Sequence, residues 1–137
     1  MKKFIITLFA LLFAQAISAA TKQPNVVVVF VDDLGWTDLG VYGSKFYETP
    51  RIDRLAKQGA MFTRAYSSCN VCSPTRASLM TGKYPQRIGF TSWLNPNKPK
   101  GPNSAATYVP ATETTIGEAY QQAGYRTGYI GKWHVGS

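Results

Sequence analysis

Residues 25–35 read Asn-Val-Val-Val-Val-Phe-Val-Asp-Asp-Leu-Gly, and the fold expected of the chain turns on them. Asn25 to Val31 is a run of β-branched and aromatic side chains with no polar alternation. Such a run predicts a strand covered on both faces, hence a central strand of a mainly parallel sheet. Asp32-Asp33-Leu34-Gly35 then closes it in a polar turn. Two more strands are predicted further along, Ala60–Tyr66 and the short Arg126–Ile130, and helical patterns separate them. Strands alternating with helices predict an α/β layer fold with helices on both faces of the sheet. So few strands cannot complete such a sheet, so the fold is expected to be incomplete in this chain.

The helix signals are sharper than the strand signals. Thr49-Pro50 reads as an N-cap followed by proline at the first helical position, with Gly59 as the stop. Ile52, Leu55 and Ala56 fall at i, i+3 and i+4, which gives this helix one apolar face. Ser73-Pro74 repeats the cap-then-proline signal for a helix running to about Thr81 and stopped by Gly82. Thr115 and Glu118 form a capping box for a helix ending at Gly124. Residues 95–114, rich in Pro, Asn, Gly, Ser and Thr, read as a long surface loop.

Composition narrows the class. The chain has 137 residues, 45% of them hydrophobic and 16% charged, which excludes a disordered chain. Lys2 and Lys3 precede an apolar run from Phe4 to Ala14, and Ala14-Gln15-Ala16 and Ser18-Ala19-Ala20 both suit cleavage. Residues 1–20 thus read as a signal peptide, and the run is too short for a membrane anchor. Without them 117 residues remain, and the formal charge of +8 falls to +6 with the two leader lysines gone. The protein is expected to be exported, either periplasmic or secreted, with no stable membrane association after cleavage. Its positive charges are scattered rather than patched, which argues against nucleic acid and fits an anionic substrate only weakly.

In open α/β sheets, ligands bind beyond the carboxyl ends of the strands. Three polar clusters are expected there: Asp32-Asp33, Cys72 to Arg76, and Lys132 to His134. Adjacent carboxylates suit Ca²⁺ or Mg²⁺, and equally suit a turn with a capping aspartate. Cys69 and Cys72 form C-x-x-C, yet a zinc site lacks its other half and a redox pair should directly follow a strand. Arg76 alone could be a surface helix charge, Lys132 a solvated strand end and His134 a hydrogen-bonded structural histidine.

The segment Cys72-Ser73-Pro74-Thr75-Arg76, continued to Thr81-Gly82, resembles the sulfatase signature C-x-P-[ST]-R followed by a helical turn and T-G. Residues 25–43, 49–66, 83–89 and 113–136 resemble further sulfatase motifs in the same order, so nearly all of residues 21–137 are covered. The resemblance implies an alkaline-phosphatase-like fold and hydrolysis of sulfate esters. It implies that Cys72 is oxidised to formylglycine by a maturation enzyme that reads the C-x-P-x-R pattern. Asp32 and Asp33 match metal ligands, with residue 72 completing the metal set from this chain, and the ion is Ca²⁺ or Mg²⁺. Arg76 matches an arginine that steadies the formylglycine, Lys132 a lysine that holds sulfate, and His134 a histidine that assists elimination.

The same resemblance marks what is missing. Later metal ligands, a second histidine, a second lysine and a C-terminal subdomain of the family have no counterpart here. Residues 21–137 are therefore expected to be the N-terminal portion of a sulfatase catalytic domain, truncated and inactive alone. Its substrate would be a sulfated small molecule or polysaccharide. The alternatives are a phosphonate or phosphate monoester hydrolase of the same superfamily and a non-catalytic anion-binding remnant.

Overall fold

A computed structural model of the chain describes residues 23–94, 97 and 108–136. Residues 1–22, which include the expected signal peptide, most of the 95–107 stretch and Ser137 lie outside the described residues. The chain divides into two units, Met1–Val31 and Asp32–Ser137.

In the first unit, residues 23–31 carry no regular secondary structure. Val26 to Val31 are 41–84% exposed, where burial on both faces was expected. In the second unit, 60–66 and 125–130 are likewise without strand, and Ile130 is almost wholly exposed. The described residues contain helices and no strand at all, so the α/β sheet of the alkaline-phosphatase type is not the architecture found. The physical reason is that β-branched runs express a preference only. A strand is held by ladder hydrogen bonds and cross-strand packing, and no described segment pairs with any of these three.

The helices fall where the sequence puts them. Helix α1 is Pro50–Gln58, with Thr49 as N-cap, Pro50 at its first position and Gly59 at its end. Helix α2 is Cys72–Thr81. It begins two residues earlier than the Ser73-Pro74 signal predicts, with Val71 as N-cap, and ends on Gly82 in the left-handed region at φ 66°. Helix α3 is Ile116–Gln122, opened by the expected capping box. There Thr115 Oγ1 accepts from the Glu118 N–H at 3.3 Å, and Glu118 Oε2 accepts from the Thr115 N–H at 2.7 Å. Short 3₁₀ turns occupy Gly40–Tyr42 and Pro85–Ile88.

A polar knot joins the first 3₁₀ turn to α1. Thr49 Oγ1 accepts from the Gly40 N–H at 2.8 Å and donates to Asp53 Oδ1 at 2.9 Å. The same carboxylate oxygen accepts from the Val41 N–H at 2.9 Å. Gly40 is required by this approach, since a Cβ there would lie 2.6 Å from Asp53 Oδ2. The apolar core lies elsewhere, around α2. Ala77, Ile88, Phe90 and Val135 are buried, with Leu94 and Val109 packed against them. The Val109 N–H donates to the Val135 carbonyl at 3.0 Å, which brings the end of the described chain onto this core.

Candidate active site

The site is built on the N-terminal half of α2. Cys72 is the first helical residue and half-buried, while Ser73, Pro74, Arg76 and Ala77 are buried. Two features converge on it from residues 129–135. Val135 inserts into the core beside α2, and the residues just before it are drawn over the helix start. Gly131 at φ 103° and His134 at φ 54° supply the left-handed conformations of this segment. A non-glycine residue there is uncommon, and histidine is among the residues that tolerate it.

Arg76 is the hub. Its Nη1 donates to the Lys132 carbonyl at 2.6 Å and to the Tyr129 hydroxyl at 3.2 Å, and its Nη2 lies 3.4 Å from Asp32 Oδ2. The Tyr129 hydroxyl also donates to the Lys132 carbonyl, and Lys132 Nζ donates to Asp32 Oδ2. Tyr129 packs edge-on against Trp133, with ring centroids 5.1 Å apart. One carboxylate, two cations and a carbonyl are thus gathered across 100 residues of sequence.

The charges tune one another. The Lys132 hydrogen bond holds the Asp32 carboxyl below its usual range, the positive charges of Lys132 and Arg76 add to it, and partial desolvation opposes it. Lys132 is pushed up, first by the hydrogen bond to Asp32 and further by that carboxylate's charge, while partial desolvation and the Arg76 charge oppose it. Both ions are therefore fully charged at neutral pH.

On the other side of α2, His134 Nδ1 lies 3.3 Å from Cys72 Sγ and 3.2 Å from Ser73 Oγ. Ser73 Oγ also accepts from the Leu94 N–H at 3.1 Å. Cys69 is half-buried in the loop before α2, with its thiol free and its carbonyl accepting from Ser67 and Thr75 hydroxyls, each at 2.8 Å.

Of the six residues singled out in the sequence, five meet. Asp32, Arg76 and Lys132 form the ionic cluster, and Cys72 and His134 the sulfur–imidazole contact. Asp33 is exposed at φ 56° and joins neither. Among the described residues no three His, Cys, Asp or Glu side chains gather as a metal-holding group. Asp32 is already held by two cations, and a single further carboxylate falls far short of the six to eight oxygens Ca²⁺ takes. These residues do not make a Ca²⁺ or Mg²⁺ site by themselves. Sequence reasoning missed Ser73, read as a cap, and Tyr129, whose partner Arg76 is 53 residues away.

The sulfatase family model matches residues 24–137. N-acetylgalactosamine-6-sulfatase of Homo sapiens is 41% identical over 120 residues, covering 87% of this chain and 23% of that protein. Steryl-sulfatase of Homo sapiens is 42% identical over 130 residues, 93% of this chain and 22% of that protein. A solved structure from the metabolism of multiple glycosaminoglycans by Bacteroides thetaiotaomicron superposes with a TM-score of 0.73 at 39% identity. It covers 85% of this chain, which in turn covers 23% of it. The chain belongs to the sulfatase family, the formylglycine-dependent branch of the alkaline-phosphatase-like superfamily. It spans between a fifth and a quarter of the length of these relatives. The TM-score is a likeness of chain path and supplies no ladder where the described residues have none.

Proposed function

We propose that residues 21–137 are the N-terminal portion of the catalytic domain of an exported sulfuric ester hydrolase, with residue 72 as its nucleophile. In this reading a formylglycine-generating enzyme oxidises Cys72 within Cys72-Ser73-Pro74-Thr75-Arg76. The observation that carries the reading is the approach of His134 Nδ1 to 3.3 Å from Cys72 Sγ across 62 residues of sequence. The hydrated aldehyde would supply two hydroxyls, one to attack sulfur with release of the alcohol and one whose collapse to the aldehyde expels sulfate.

The side chains around residue 72 divide the remaining work. His134 stands where Nδ1 can take the proton that the collapsing hydroxyl gives up. Lys132, with a side chain 46% exposed, can exchange Asp32 for a sulfate oxygen, a charge clamp on the transferred group. Arg76, buried, stays in place, holding Asp32 and the Lys132 carbonyl and fixing where both cations stand. The start of α2 adds its partial positive charge beneath the anion. Asp32 and Asp33 would contribute oxygens to Ca²⁺ or Mg²⁺ only together with donors outside these residues. A sulfated small molecule or polysaccharide is the substrate class.

Peptide mass spectrometry after co-expression with a maturation enzyme tests the reading. Residue 72 should appear as formylglycine. In the whole protein, Cys72→Ala should abolish sulfate-ester hydrolysis and Cys69→Ala should leave most of it. An unmodified Cys72, or equal losses from the two substitutions, would overturn the assignment in favour of a C-x-x-C pair.

A further inference from the structure

We infer that Ser73 is a positioning residue that sets the tautomer of His134. Its hydroxyl donates to Nδ1, so the neutral imidazole carries its proton on Nε2 and presents Nδ1 as an acceptor to residue 72.

The inference comes from accounting for one buried proton. Ser73 is fully buried, so its hydroxyl has no water to turn to, and a buried donor left unmade is expensive. Among the described residues its oxygen has two polar neighbours. One is the Leu94 N–H at 3.1 Å, which can only donate. The other is His134 Nδ1 at 3.2 Å. The hydroxyl proton therefore goes to Nδ1, and Nδ1 must offer its lone pair. The opposite arrangement, Nδ1–H donating to Ser73, would give the oxygen two donors and strand its own proton.

Nδ1 has a single in-plane lone pair, and Cys72 Sγ stands 3.3 Å from the same atom. Ser73 thus occupies the acceptor site that residue 72 would need, and yields it only to a better hydrogen-bond donor. On the sulfatase reading, that donor is the hydroxyl of the hydrated aldehyde, and Ser73 keeps His134 ready as a base. The functional meaning rests on that reading, whereas the tautomer itself does not.

The chain contains one histidine, so the imidazole signals of ¹⁵N-histidine-labelled protein are unambiguous. Magic-angle-spinning ¹⁵N spectra of the 137-residue chain at mildly alkaline pH should show a pyridine-type Nδ1 and a pyrrole-type Nε2. Ser73→Ala should move Nδ1 toward the pyrrole-type position, and Ser73→Thr, which keeps the hydroxyl, should restore it. A pyrrole-type Nδ1 in the unsubstituted chain overturns the inference. So does a Ser73→Ala spectrum unchanged at equal helicity. Should Ser73→Ala fail to fold, the unsubstituted chain and Ser73→Thr decide, both pyridine-type supporting the inference and a pyrrole-type Nδ1 in either overturning it. A Cys72 left unmodified after co-expression with the maturation enzyme, beside a pyridine-type Nδ1, would strike the sulfatase reading and leave the tautomer standing.

Discussion

Helices α1 and α2 invert the usual relation between pattern and burial. Helix α1 has the clean apolar stripe and the full set of end signals, yet none of its residues is buried and Leu55 is 67% exposed. Helix α2 has a weak stripe and four buried residues, two of them Ser73 and Arg76. An amphipathic stripe records where a helix can be covered, and burial depends on what the rest of the chain brings to it. Around α2 the chain brings Phe90, Val135 and a set of polar partners. Around α1 it brings the Gly40–Asp53 knot, which fixes one end and covers no apolar face.

The comparison breaks if side chains around the two helices weigh alike. Phe90→Ala should cost about 3–5 kcal/mol, because a fully buried ring leaves a cavity against α2. Leu55→Ala should move stability by less than about 0.5 kcal/mol. Urea unfolding of both variants measures the gap, and equal losses would mean that α1 is covered in solution.

Arg76 tests the polar half of the contrast. Arg76→Ala should cost about 2 kcal/mol, reduced from a fully buried pair because Asp32 remains about a third exposed. Arg76→Lys should recover little of it, since an ammonium cannot reach Asp32, Tyr129 and the Lys132 carbonyl in one fork. Full recovery by lysine would reduce the cluster to a general charge effect.

The smallest expected effect lies on α3, whose N-terminus depends on a carboxylate. Hydrogen bonds from the Thr115 backbone and then its side chain hold the Glu118 carboxyl below its ordinary 4.5. A depressed carboxyl stabilises the folded form above the unfolded value and loses that contribution as pH falls through the folded one. The protection factors of amides in the first turn of α3, taken relative to intrinsic exchange, should therefore be flat above pH 4.5 and fall below it, and Glu118→Gln should remove that pH dependence. Exchange in α2 should not follow it.

Helix ends were legible from sequence because their causes are local. Thr49-Pro50, Gly82 and the Thr115–Glu118 box act within one turn, and each stands where it was read. The sheet was misread because Val26–Val31 states a preference that only a distant partner can satisfy. Motif likeness singled out Asp32, Cys72, Arg76, Lys132 and His134, which the structure gathers into an ionic cluster and a sulfur–imidazole contact. Their wiring was not legible. Nothing near Tyr129 in sequence marks it as the partner of Arg76, and Ser73 was masked by the capping role that Ser-Pro usually signals.

The Asp32–Lys132 contact has a consequence in polymer terms. It joins residues 100 apart, and closing a flexible loop of that length carries an entropic penalty of about 4 kcal/mol from its length dependence alone. An ion pair that keeps a third to a half of its surface in water returns far less than that. The pair therefore cannot recruit its own partners. Burial of Val135 with Phe90 and its backbone bond to Val109 hold Lys132, three positions before it, beside α2, where Arg76 also meets Asp32. The charge cluster thus rides on the apolar contacts beside it and does not create them.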